Sequence, residues 1–238
     1  VVHKPPYWPS YPTLARLSGL DFNTSSAGSD NYADEVGCIT SPNNPDGLIN
    51  RLPTADCDVW DAVYASSLYG FDGIAPYHET SVHSAAKLLG LSGLRIGWLL
   101  TTEKEIAHHA ANYVEFTTSG VSTPGQRFVA LALTLLRGGS MDDQIKMART
   151  DLLVNGEIFN HQLGRYVEDV QGVPKDGKGM FAWFKVADPW AFNEALNKAK
   201  VRLVSGPACG GSENYFRMSM GLTPNHTELA LKAIKDNL

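Results

Sequence analysis

Lys87 stands in Ser84-Ala85-Ala86-Lys87-Leu88-Leu89-Gly90, between small apolar residues and leucines. Such a neighbourhood disfavours the ammonium form, lowers the amine pKa and suits the nitrogen to Schiff-base chemistry. Taken alone, the residue also fits an exposed lysine on a loop. Ser84 and Arg95 are of the types that hold a phosphate, and Gly90 and Gly93 between them let backbone approach closely. Asp61, in Val59-Trp60-Asp61-Ala62-Val63-Tyr64, sits in an apolar run where a carboxylate is costly unless something pairs with it. It fits a helix N-cap, a structural ion pair, or a carboxylate facing a cationic ring nitrogen. Tyr64 falls near the same strand end and, by itself, reads as a half-buried core tyrosine. Thr40-Ser41-Pro42-Asn43-Asn44-Pro45-Asp46-Gly47 has the composition of an ordinary turn. Its place at the carboxyl end of a predicted strand is where ligands of open α/β sheets bind. Arg217, in Asn214-Tyr215-Phe216-Arg217-Met218-Ser219, reads alone as a charge on a surface strand.

These residues need elements to carry them. Short apolar runs rich in β-branched residues and punctuated by Pro and Gly predict strands at 1–3, 36–40, 57–63, 80–84 and 96–101. Helical spacing predicts helices at 103–117 and 124–136, the second carrying Phe128, Leu131, Leu135 and Leu136. This alternation predicts an α/β fold with much parallel sheet. After Gly138-Gly139-Ser140 the texture changes. A long amphipathic helix over 142–164 uses Ile145, Leu152, Leu153, Ile158 and Phe159 as apolar contacts. Strands near 166–170, 180–186, 201–204 and 215–220, a helix near 190–199 and a closing helix from Glu228 follow. This part reads as a smaller α+β domain, dividing the chain into 1–142 and 143–238.

The 238 residues, 43% hydrophobic and 19% charged, are those of a folded soluble chain with material for a sizeable core. The net charge of -5 argues against a dedicated nucleic-acid or anionic-membrane surface. No apolar run approaches the ~20 residues that span a bilayer. Cys38, Cys57 and Cys209 follow no Cys-x-x-Cys pattern, so buried thiols in a reducing, cytoplasmic compartment are expected. His108 and His109 point about 100° apart on a helix and are poorly placed to share a metal, so no metal site is expected. Gly177-Lys178-Gly179 reads as a hairpin turn. Tyr7, Trp8 and Tyr11, among Pro5, Pro6, Pro9 and Pro12, fit either a pocket lining or a packed turn leading into a helix.

Taken together, in their order and spacing, the Asn44 loop, the Asp61–Tyr64 segment and the Ser84–Lys87–Arg95 segment resemble the fold-type I enzymes that use pyridoxal 5'-phosphate (PLP). The class is the class I/II aminotransferase group. Ser41-Pro42-Asn43-Asn44-Pro45-Asp46-Gly47 is similar to the branch holding alliinases and plant tryptophan aminotransferases. Asn214 to Gly221 resembles the small-domain strand that supplies the substrate-carboxylate arginine. The resemblance implies a three-layer, mostly parallel large domain, present in part, and a smaller α+β C-terminal domain. It implies that Lys87 forms a Schiff base with the cofactor and moves the proton at the substrate Cα. Asp61 would pair with the protonated pyridine nitrogen. Asn44 and Tyr64 would hydrogen-bond the ring 3'-oxygen, Ser84 and Arg95 would grip the phosphate, and Arg217 would clamp the α-carboxylate, with Asn44 beside it.

The chain also departs from the pattern. Ala86 stands where many relatives carry a second hydroxyl, and Ser205-Gly206-Pro207 where relatives often read Pro-Gly. The phosphate loop at a helix N-terminus, the aromatic that stacks on the ring and the small domain's N-terminal arm have no counterpart. All would precede residue 1, and the opening Val1 without an initiator Met is expected to be a cut. The expected activity is transfer of an amino group from an L-amino acid to a 2-oxo acid, by a homodimer. A carbon–sulfur lyase acting by β-elimination is the alternative, and a noncatalytic fold remnant a further one.

Overall fold

The segment Val59-Trp60-Asp61 opens with a β-branched and an aromatic residue, which suit a buried strand. It forms the strand β2 (Val59–Asp61), between β1 (Cys38–Thr40) and β3 (Thr80–Ser84), and β4 (Gly97–Thr101) completes the sheet in the order β1-β2-β3-β4. The first three strands are parallel and β4 runs antiparallel to β3. The computed structural model describes residues 1, 3–24, 36–50, 59–66, 80–175 and 179–238. Cys57, the start of the strand expected at 57–63, and Gly177 and Lys178 of the expected hairpin turn lie outside the described residues. A short helix, α1 (Tyr11–Leu17), precedes β1, and β3 is joined to β4 through α2 (Ala85–Leu88) and a 3-10 turn at Ser92–Leu94. Gly97 pairs with Ser84, and a Cβ on Gly97 would lie 2.7 Å from the His83 carbonyl oxygen, so the hairpin closes only around a glycine.

Two helices follow, α3 (Lys104–Thr118) and α4 (Thr123–Arg137). Ser122 caps α4 by accepting from the Gly125 amide. The helix is where its periodicity puts it, but its inward face is Gly125, Val129 and Ala132. Phe128 and Leu131 are 53% and 58% exposed. The small residues win that face because Ile96 presses against the backbone: a Cβ on Gly125 would meet Ile96 Cδ1 at 3.2 Å.

The rest of the chain forms α5 (Asp142–Leu163), β5 (Glu168–Gln171), β6 (Phe181–Lys185), α6 (Pro189–Ala199), β7 (Val204–Ser205), β8 (Tyr215–Ser219) and α7 (Pro224–Lys235). The four strands make a second, antiparallel sheet in the order β5-β6-β8-β7. Phe159, Leu163, Phe184, Phe216, Leu231 and Ile234 are fully buried between this sheet and the helices α5 and α7. Each such side chain contributes roughly 1.5–3 kcal/mol of burial. Asn155 of α5 donates through Nδ2 to the Met220 and Leu222 carbonyls, both at 2.7 Å, and so holds the chain as it leaves β8. The start of the last helix and the extent of β7 depart furthest from expectation. Helix α7 starts at Pro224, because Thr223 caps it by accepting from the His226 amide and proline suits the first turn. Strand β7 is confined to Val204–Ser205.

Among the described residues no helix is long and apolar enough to cross a membrane. Among them, too, no group of three or more His, Cys, Asp or Glu side chains is arranged to hold a metal ion.

Candidate active site

The loop after β1 folds on its own polar side chains. The buried Asp46 carboxylate accepts from Asn43 Nδ2 at 2.9 Å and from the Leu48 amide at 3.0 Å, and Asn43 Nδ2 also reaches the Pro6 carbonyl at 3.0 Å. Burial pushes the Asp46 pKa up, while these bonds pull it back. The loop also abuts the turn after β5, where a Cβ on Gly172 would lie 2.3 Å from the Asp46 carbonyl oxygen. Clamped this way, the loop presents Asn44 in a fixed orientation, 1% exposed.

Asn44 joins residues that are distant in sequence. Its Nδ2 donates to the Tyr64 hydroxyl at 3.0 Å, and its Oδ1 accepts from Arg217 Nη1 at 2.7 Å. Arg217 enters from β8, opposite Trp183 of β6, and its guanidinium lies 4.9 Å from the centre of the Phe181 ring. Burial lowers its pKa, and its Nε, also buried, has no hydrogen-bond partner among the described residues. The Tyr64 ring meets Phe181 edge-on at 5.2 Å. On the other side, Lys87 Nζ stands 5.7 Å from the centre of the Tyr64 ring. Burial depresses the Lys87 pKa, and the Arg217 and Arg95 charges depress it further.

Asp61, at the end of β2, is 8% exposed. Its Oδ1 accepts from the Val63 amide at 3.0 Å, and its Oδ2 accepts from the Tyr11 hydroxyl. Burial pushes its pKa up, against these two bonds, and no cation of the described residues offsets the burial. Of the three readings of its sequence context, the helix N-cap is not met, because residues 62–66 form a turn, held by the Val63 bond, and no helix, and no ion pair is found among the described residues. Ser84 and Arg95 lie on the same β3–β4 connection as Lys87, and their hydrogen bonds stay within it. Ser84 Oγ accepts from the Ala86 amide at 3.2 Å and caps α2, and Arg95 Nη1 donates to the Ser92 carbonyl at 3.2 Å.

Thus Lys87, Tyr64, Asn44 and Arg217 form one continuous cluster, with Asp61 three residues before Tyr64 on the same strand end. Two participants have no partner in the site that the sequence assigns. Phe181 backs both Tyr64 and Arg217, and nothing in a β-strand pattern distinguishes it from its core neighbours. Tyr11 reaches Asp61 across 50 positions. Its Pro-rich setting fits a pocket lining or a packed turn leading into a helix. The turn is real, and it delivers the tyrosine. His108 and His109 sit on α3 with ring centres 6.0 Å apart. Cys209 is a buried thiol, pushed up to about 11 by burial.

An open, mostly parallel sheet with an aspartate and a tyrosine at a strand end and a lysine on the helix that follows another strand, beside an arginine from a second sheet, is the framework of fold-type I aminotransferases. The aspartate aminotransferase from Thermus thermophilus solved with maleate has this fold, with a TM-score of 0.78 over 100% of this chain and 69% of its own, at 21% identity. The family described as Allinase matches residues 1–168, and the chain belongs to that family. Tryptophan aminotransferase-related protein 2 of Oryza sativa subsp. japonica is 31% identical over 92% of this chain and 50% of its own length. An alliin lyase of Allium cepa var. aggregatum is 26% identical over 53% of this chain and 30% of its own. The chain spans about a third to a half of the length of the curated relatives it matches.

Membership implies PLP as the cofactor, and the donor set fits that group. Asp61 is a buried carboxylate to which no described cation is paired, Lys87 carries an amine of lowered pKa, and Arg217 keeps a buried Nε without a partner among the described residues.

Proposed function

We propose that the protein is a PLP-dependent aminotransferase that moves an amino group from an L-amino acid to a 2-oxo acid. The observation that carries this reading is the cluster in which Asn44 bridges Tyr64 and Arg217 beside the Lys87 amine. Bound PLP supplies an electron sink for the charge released when a bond at the substrate Cα breaks. Lys87 binds the cofactor covalently through Nζ and moves the proton at Cα, a task helped by its lowered pKa. Asp61 holds the proton of the ring nitrogen. Tyr64 and Asn44 bind the ring oxygen, while Ser84, whose hydroxyl hydrogen is not used in capping α2, and Arg95 bind the phosphate. Arg217, whose Nε has no partner among the described residues, binds the substrate carboxylate and orients the Cα–H bond. In this reading residues 1–142 form the cofactor-binding part and 143–238 a smaller domain that brings Arg217. The working unit is a homodimer.

The wild-type protein given PLP is expected to show a visible absorbance band that shifts on adding amino acids and is lost in Lys87→Ala. No band in the wild type would rule the reading out. The family match and the alliin lyase relative favour one second reading, a β-eliminating carbon–sulfur lyase. Release of pyruvate and ammonia from an S-substituted cysteine without any 2-oxo acid would select it. Acceptor-dependent deamination, tried first with L-tryptophan because relatives carry that name, selects the transferase.

A further inference from the structure

The Asp61 carboxylate has one side-chain donor among the described residues, and it comes from α1 rather than from its own strand. We propose that Tyr11 is a positioning residue, whose hydroxyl keeps the Asp61 carboxylate ionised and correctly rotated to receive the ring N–H of the cofactor. The inference rests on the reading that this site takes PLP.

The surroundings of Tyr11 leave its ring little freedom. His3 stacks on it with centres 4.9 Å apart, Trp8 meets it edge-on at 5.3 Å, and the residue is 8% exposed. Burial, then the neighbouring Asp61 charge, raises the phenol pKa far above its ordinary value, so the hydroxyl remains a donor. The direction of its hydrogen follows from counting protons. The hydroxyl has one hydrogen, and the carboxylate can only accept it. At the 2.7 Å contact between Tyr11 and Thr40, Thr40 must then be the donor and the Tyr11 oxygen the acceptor. His3 does not compete well for the Thr40 hydrogen. Its Nδ1 lies 2.9 Å from the Lys4 carbonyl, which can only accept, so that nitrogen carries a hydrogen. Burial favours the neutral ring, which leaves Nε2 as an acceptor, but it stands 3.4 Å from Thr40 Oγ1, a much longer contact than the 2.7 Å one. The row is therefore polarised from Thr40 through Tyr11 to Asp61. A tyrosine needed only for packing would gain nothing from a buried hydroxyl, and phenylalanine would fill the same space.

The test uses Tyr11→Phe in the full chain, with binding of PLP and of its 1-deaza analogue, in which the ring nitrogen is replaced by C–H, as the readout. Only PLP can use the Asp61 carboxylate, so the wild type is expected to prefer it, and Asp61→Asn to lose most of that preference. Tyr11→Phe is expected to compress the preference by about tenfold or more, as expected for losing a hydrogen bond to a charged group. Equal weakening of both ligands, or an unchanged preference, would show a purely structural tyrosine and overturn the inference while leaving the cofactor reading intact. Failure of the wild type to bind either ligand would overturn both. Should Tyr11→Phe not fold, Thr40→Val decides instead: it removes the donor behind Tyr11 and must lower the preference in the same direction.

Discussion

Arg217 is held by a neutral amide, Asn44, and by an aromatic face, and no carboxylate among the described residues pairs with it. A guanidinium kept in this way retains its charge and one N–H for an incoming anion, which is the economy of a binding residue rather than of a structural ion pair. Replacing it with lysine keeps the charge but removes the planar fork. Arg217→Lys is expected to raise KM for the amino acid about tenfold to a hundredfold, the range for a lost charge-assisted bond, while the cofactor absorbance persists. Steady-state kinetics and the absorption spectrum check this, and loss of cofactor from the variant would show that Arg217 has a different role. Lys87, Asp61, Tyr64, Asn44 and Arg217 were readable in the sequence because each is chemically loaded and sits in a short segment with a recognisable setting. Thr40 and His3 were not, and Tyr11 offered a pocket lining or a packed turn with nothing to join it to Asp61. They come from separate segments, and no local periodicity encodes a contact made across 50 positions.

At the scale of elements, the β3–β4 connection matters most, because it carries Ser84, Lys87 and Arg95. Its closure depends on Gly97, whose added Cβ would stand 2.7 Å from a backbone oxygen that cannot rotate away. Gly97→Ala is expected to cost about 2–3 kcal/mol, within the range for overpacking a well-packed site, in denaturant unfolding. Gly93→Ala, on the same connection with nothing within 4 Å of the added carbon, is expected to be nearly neutral. Equal effects from the two would mean that the close approach at Gly97 relaxes freely. The elements themselves were largely legible, since strand runs and helical spacing are local properties. What the pattern could not decide was which face of α4 turns inward. Phe128 and Leu131 have the hydrophobicity, but Gly125, Val129 and Ala132 have the size that lets Ile96 and its strand approach. The start of α7 was legible in Thr223-Pro224, a cap and a first-turn proline ahead of the expected start at Glu228.

For the whole molecule, the charges at the site set how stability responds to pH and to ligand. Burial holds the Asp61 pKa above its unfolded value of about 3.9. The folded state therefore keeps that proton to higher pH than the unfolded chain, and this group makes stability fall as pH rises from about 4 through the raised folded value. His3 acts in the opposite sense. Its folded pKa is depressed by burial, so the unfolded chain takes up a proton first as pH drops below about 6.5, and stability is lost on acidification through the lower folded value. Asp61→Asn removes the first contribution and leaves the second. The amide still offers an acceptor to the Val63 amide and a donor to Tyr11, whose own hydrogen can then go to Thr40. Without cofactor, the variant is expected to melt above the wild type at pH 7, with the difference closing toward pH 4. Adding PLP should reverse the order at pH 7, because only the wild type then pairs its buried carboxylate with the ring N–H, the usual exchange of stability for function at a binding site. Thermal melts at several pH values, with and without PLP, check both halves. A cofactor-free Asp61→Asn that melts at or below the wild type at pH 7 would mean that Tyr11 and the Val63 amide already offset the burial of this charge, with no need of a ligand.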